Sequence, residues 1–225
     1  MKKHLPNLLT SANLFAGCIG IVQAFEGNLR YAVYWGALAL VLDFLDGMTA
    51  RLLKAQSELG KQLDSLADLL SFGMLPASIL FMLLTNVENN LWAYGAFIYA
   101  VFAAWRLAKF NIDTRQTQYF IGLPTPASAL TVFSIPLLLA QYPSWTPWLN
   151  QGILLGLTAL LSVLSVANLP LFSLKFKDLG FKENALRYVF LGLALIFLAL
   201  FQWAGIPLLI LLYIGLSVFF YKPSS

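Results

Sequence analysis

The 225-residue chain has one histidine, His4, and one cysteine, Cys18. A lone thiol forms no disulfide within the chain, so Cys18 is read as a packing residue of an apolar span. Catalysis by imidazole or thiolate, and zinc bound by His and Cys, lack the residues they need. Charge is scarce too. Only 11% of residues are Asp, Glu, Lys or Arg against 60% hydrophobic, and the mean hydropathy is +0.77. That balance excludes an ordinary soluble domain. The sequence contains no glycine-rich phosphate loop, no serine-nucleophile motif, no internal repeat and no low-complexity tract.

What is there, along the whole chain, is apolar runs of membrane-crossing length. They predict an all-α polytopic membrane protein with about eight transmembrane helices, near 8–25, 31–53, 63–85, 91–109, 124–141, 150–168, 187–203 and 206–221. Residues 1–225 read as a single transmembrane domain. The opening Met-Lys-Lys-His before an apolar run has the look of a signal peptide, but no small-x-small cleavage site follows, so it is read as a retained first helix. An even number of spans puts both termini on one side. All but one of the 14 basic residues then fall on that side, with Arg30 alone opposite. Basic residues accumulate in short cytoplasmic loops, so the reading is a multi-pass protein of the cell membrane with both termini cytoplasmic. The positive charge is an orientation signal and calls for no nucleic-acid partner.

Against this background one stretch stands out, D-F-L-D-G-M-T-A-R at 43–51 followed by G-K-Q-L-D-S-L-A-D at 60–68. Asp43 and Asp46 are three apart and Asp64 and Asp68 four apart, so each pair shares a helix face. Asp43 lies about a dozen residues into its span, roughly 18 Å at 1.5 Å per residue. A carboxylate at such depth costs around 2.5–3.5 kcal/mol and is functional by default. The short polar turn between the two spans forces them to pack as antiparallel neighbours, which brings all four carboxylates into one cavity. Hard oxygen ligands without His or Cys suit Mg²⁺, Mn²⁺ or Ca²⁺. Because one Mg²⁺ takes only one or two protein carboxylates, four acids point to two ions about 4 Å apart, an arrangement used in phosphoryl displacement. An alcohol nucleophile would also need one acid as proton acceptor.

The pattern Asp43-x-x-Asp46-Gly47-x-x-Ala50-Arg51, eight residues, then Gly60-x-x-x-Asp64-x-x-x-Asp68 resembles the complete signature of the CDP-alcohol phosphotransferases. The resemblance implies transfer from a CDP-linked donor to an alcohol with CMP leaving, dependence on a divalent metal (Mg²⁺ or Mn²⁺), and a homodimer. It implies that Asp43, Asp46 and Asp64 bind metal, and that Asp68 binds metal or acts as the catalytic base. Gly47, Ala50 and Arg51 would line the nucleotide and diphosphate region. Pro6, Asn7, Thr10, Asn13 and Gly17 form a polar stripe on the first span, and Thr10 and Asn13, with Gly60 and Ser65, are counted with the nucleotide-binding residues.

A second block runs from Trp105-Arg106-Leu107-Ala108-Lys109-Phe110-Asn111, through Arg115, to Gly122-Leu123-Pro124-Thr125-Pro126-Ala127. Together with the first-span stripe it is similar to the membrane-bound phosphatidylserine synthases within that family. That likeness implies CDP-diacylglycerol as donor, L-serine as acceptor, membrane lipids as surroundings, and Arg106, Lys109, Asn111 or Arg115 as acceptor-binding groups. Residues 1–130 are the catalytic helices on this reading and 131–225 accessory ones. Two rivals remain. One keeps the chemistry with glycerol 3-phosphate or inositol phosphate as acceptor. The other is a divalent cation transporter, which would predict further polar residues in the outer halves of the helices, whereas 31–42 and 69–84 carry no charge.

Overall fold

The structure is a computed structural model and describes residues 4–88, 90–112, 119–172 and 181–220. The chain is almost entirely helical. The order is α1 (Leu5–Phe25), α2 (Leu29–Leu52), α3 (Glu58–Asp68), a π-helical segment (Leu69–Met74), α4 (Leu75–Val87), a 3₁₀ segment (Leu91–Phe97), α5 (Ile98–Ile112), α6 (Thr125–Gln141), α7 (Gln151–Val166), α8 (Phe181–Phe201) and α9 (Gly205–Phe220). Local chemistry sets many of the ends. Pro6 sits in the first turn of α1, where its missing N–H costs nothing. The Ser57 hydroxyl caps α3 by accepting from the Gly60 N–H at 3.0 Å, and Asn150 caps α7 through the Ile153 N–H at 3.0 Å.

Five helical stretches are long and apolar enough to cross a membrane: Leu5–Phe25, Leu29–Leu52, Glu58–Val87, Leu91–Ile112 and Arg187–Phe219. The last holds two helices reversed at the turn Gln202–Ala204, while Thr125–Gln141 and Gln151–Val166 are shorter apolar helices. The helices thus coincide with the expected segments, with three differences. The penultimate helix starts at Phe181 rather than near 187. The fourth span opens with a 3₁₀ segment. Cys18 is exposed on the outside of α1 rather than packed inside.

The helix α3–π–α4 is the axis of the bundle. Phe72, Leu75, Ile79, Leu80 and Leu84 on it are fully buried. A bend near Gly73 and Pro76 takes the form of a widened π turn, in which the Leu75 N–H reaches back to the Leu70 carbonyl. Pro76 has no N–H to continue the α ladder and its ring would clash with the carbonyl four residues earlier; one wide turn relieves both. At Gly17, α1 crosses this turn so closely that a Cβ would overlap the Ser71 hydroxyl, and Ser71 Oγ donates to the Asn13 carbonyl at 3.1 Å.

One element has no counterpart in the apolar pattern. Tyr119–Ile121 (β1) and Pro170–Phe172 (β2) pair antiparallel, joining the segment before α6 to the segment after α7. Gly122 follows β1 at φ +77°, and a Cβ there would collide with the Ser165 carbonyl. Its N–H donates to the Leu169 carbonyl at 2.9 Å. Only glycine combines that backbone angle with so close an approach.

Candidate active site

Asp43 and Asp46 lie on the last three turns of α2, and Asp64 and Asp68 on α3, across the short turn that joins them. The fold brings Asp43, Asp64 and Asp68 together: one carboxylate oxygen of each can be chosen so that all three lie within 4.8 Å of one another. Asp46 is buried on the adjacent turn, outside that trio, with one oxygen lacking a hydrogen-bond partner. One oxygen of Asp68 is also buried and unpartnered. Two unit charges 4.8 Å apart repel by about 3–4 kcal/mol at an effective dielectric of 20. Three carboxylates so placed, with unused oxygens, therefore fit a hard divalent cation.

A cavity of about 840 Å³ opens beside the acids. Asp43, Asp46 and Asp64 line it, while half-buried Asp68 is not among its lining residues. Thr10, Gly47, Ala50, Arg51 and Gly60 line it too. A Cβ on Gly47 would meet nothing within 4 Å, so the helix surface there is open to a ligand. Arg51 folds back along α2, its Nε donating to the Gly47 carbonyl at 3.0 Å, which leaves its terminal nitrogens at the cavity wall. Thr10 donates to the Pro6 carbonyl at 3.0 Å and lies beside Asp46. Asn13 is fully buried, with both side-chain amide atoms unpartnered. Such an amide costs free energy unless something meets it.

Ser65 is placed differently from the nucleotide-binding expectation. Its hydroxyl donates to the Lys61 carbonyl at 3.2 Å and accepts from Asn111 Nδ2 at 2.8 Å. Lys61 Nζ donates in turn to the Asn111 carbonyl at 2.8 Å. Asn111 and Ser65 thus form a seam between the end of α5 and α3. Lys109 is exposed, and Arg115 lies outside the described residues.

Arg106 is buried, 7% exposed, and lies within electrostatic range of Asp68. Its Nη1 donates to Thr125 Oγ1 at 3.2 Å, its guanidinium sits 6.0 Å from the centre of the Phe110 ring, and its Nε has no partner. Near it stand Tyr99 and Tyr213, and beside Tyr99 lies Ser128, the hydroxyls of Tyr99 and Ser128 both buried. A second cluster of polar side chains, contributed by α5, α6 and α9, therefore lies within electrostatic range of the acids. Tyr99, Ser128 and Tyr213 are absent from the sequence-based site. Thr125 enters it only as part of the Gly122–Ala127 segment. A hydroxyl on an apolar helix carries no distinguishing signal until the fold shows which way it points.

The acid trio and the adjoining cavity form a candidate divalent-cation site in a bundle of apolar helices. A model of the CDP-alcohol phosphatidyltransferase family matches residues 3–164. The chain belongs to that family and is an enzyme of its class. Among proteins similar to it is the CDP-diacylglycerol--serine O-phosphatidyltransferase of Helicobacter pylori strain J99, 33% identical over 193 residues, which cover 85% of this chain and 81% of the relative. The protein of the same name from Bacillus subtilis strain 168 is 32% identical over 142 residues, 61% of this chain and 80% of the relative. That of Mycobacterium leprae is 36% identical over 151 residues, 63% and 50%.

Proposed function

We propose that the protein transfers the phosphatidyl group of CDP-diacylglycerol to the hydroxyl of L-serine, giving phosphatidylserine and CMP. The observation that carries this reading is the acid trio, with buried Arg106 within electrostatic range of Asp68, in a chain whose relatives bear that activity in their names. Asp43, Asp64 and Asp68, with Asp46 beside them, would hold one or two divalent ions, Mg²⁺ or Mn²⁺. Bound there, a divalent cation neutralises diphosphate charge and polarises the phosphoryl group under attack.

The chain's own residues supply the rest. The open surface at Gly47 and Ala50 accepts the CDP moiety, and Arg51 offsets diphosphate charge at the cavity wall. Arg106 pairs with the serine carboxylate, which its planar fork suits better than a lysine would. That pairing presents the serine hydroxyl to Asp68. Asp68 takes the hydroxyl proton as the serine oxygen bonds to the lipid-linked phosphorus, and the bond from that phosphorus to the CMP oxygen breaks. The site opens toward the cytosol, where the basic loops place it. Residues 1–130 carry the catalytic groups.

The test is CMP release from CDP-diacylglycerol by the purified protein with Mg²⁺ or Mn²⁺, comparing L-serine, glycerol 3-phosphate, inositol phosphate and no acceptor. Release driven by serine alone is expected. Release driven by another alcohol overturns the acceptor and keeps the aspartate chemistry, whereas no release with any pair overturns the transfer and favours cation transport.

A further inference from the structure

The C-terminal pair α8–α9 is the part of the chain with least visible purpose. It lies beyond the family match, which ends at residue 164, and its faces are largely exposed apolar side chains such as Leu195, Leu200, Leu211 and Phe219. Tyr213 breaks that pattern. It is 6% exposed, and its hydroxyl donates to the Phe172 carbonyl at 2.7 Å. Its ring packs against Phe172 at 4.9 Å and Phe190 at 5.7 Å between centroids.

Phe172 is the last residue of β2 and pairs with Tyr119 of β1. Strand β1 runs directly into Gly122 and Leu123, whose N–H groups donate to the Leu169 and Leu164 carbonyls at 2.9 Å each. Two residues later comes Thr125, which accepts from Arg106. A path of hydrogen bonds and short covalent segments therefore leads from Tyr213 through the ladder to Arg106. Tyr213 also lies in the neighbourhood of Arg106.

We infer that Tyr213 is a positioning residue for the acceptor, and that α8–α9 closes the acceptor half of the site by holding β2, the Gly122–Thr125 segment and Arg106 in register. Given a bound donor and intact acids, the C-terminal pair thereby sets how well the acceptor is held. This rests on the reading of Arg106 as the group that receives the acceptor. It concerns the acceptor side alone, so the donor side serves as the internal control.

The experiment is steady-state CMP release by the full-length protein, with serine varied at saturating CDP-diacylglycerol and the reverse. Tyr213→Phe keeps the ring and removes one hydrogen bond, an interaction whose loss is worth about fivefold. Serine KM should rise by about that factor, while kcat and the KM for CDP-diacylglycerol stay within about twofold. Amide exchange at Gly122 and Leu123 should quicken in the same variant. Phe190→Leu, which removes only ring packing, should shift serine KM in the same direction by less and carries the test if Tyr213→Phe does not fold. Leu211→Ala on the lipid-facing side of α9 should change neither KM. An unchanged serine KM, or equal shifts in both KM values, overturns the inference. If the wild-type enzyme uses a different alcohol, the serine reading fails alone, and the same ratio measured with that alcohol decides the role of Tyr213.

Discussion

The α2–α3 wall of the site and the α5–α6–α9 wall are built on opposite plans. The first gathers charge: three carboxylates within 4.8 Å on two helices joined by a short turn, facing an open cavity. The second gathers hydroxyls around one buried guanidinium, drawn from helices far apart in sequence and tied by a two-stranded ladder. A wall of like charges is relieved by a bound cation, so it suits the part of a reaction in which a diphosphate and its metal are always the same. A wall of directional neutral donors around one fixed charge suits the part that must choose among alcohols, because unmet hydrogen bonds discriminate more sharply than apolar fit. The two walls should therefore separate in kinetics.

Removing the cation tests the first wall at its strongest point. Chelation should abolish CMP release, a loss of at least ~10³-fold if the metal contributes several kcal/mol to the transition state, and Mg²⁺ or Mn²⁺ should restore it. Asp64→Asn should shift the metal concentration for half-maximal rate upward, whereas Arg106 variants should leave that concentration unchanged. A metal dependence that moved equally with both would erase the distinction between the walls.

Asp68 is where they meet, since it belongs to the trio and lies within electrostatic range of Arg106. Asp68→Asn should lower kcat by about 10²–10⁴, the usual contribution of a general base, with CDP-diacylglycerol binding still measurable. Normal turnover would remove Asp68 as the proton acceptor. Arg106→Lys should act more weakly and on one axis. It keeps the charge and loses the fork, so serine KM should rise about tenfold while donor KM holds.

The first wall is legible in the amino-acid sequence alone because it obeys short-range rules. Aspartates in apolar sequence are costly enough to demand a reason, and spacings of three and four place them on a face. The helical segments are legible for the same reason, since apolar runs report their own length. The second wall obeys contact rules that one chain does not display. Nothing local marks Tyr213 among the apolar residues of α9, and a three-residue strand such as Pro170–Phe172 leaves no periodicity to detect. Gly122 stands out in the sequence for its neighbouring prolines, yet its purpose is the close approach to the Ser165 carbonyl, far along the chain. Ser65 shows the opposite limit. Its place one step from Asp64 suggests a ligand contact, but a serine at that register points across to Asn111 instead.

That Ser65–Asn111 contact is the seam between the walls and gives the smallest expected effect. Asn111→Ala removes the 2.8 Å bond to Ser65 but not the Lys61 bond to the Asn111 backbone carbonyl, which survives any side-chain change. The loss should be about 1 kcal/mol of stability, read by thermal unfolding in detergent. Because the seam belongs to both sides, serine KM and donor KM should move together by less than about fivefold. Ser65→Ala also removes the bond to the Lys61 carbonyl and should cost somewhat more, and the double variant little more than Ser65→Ala alone, since the two side chains share one bond. Additive costs would mean that each side chain acts on a different partner. A rise in serine KM alone, with additivity, would make Asn111 an acceptor contact and move the boundary between the walls from α5 to α3.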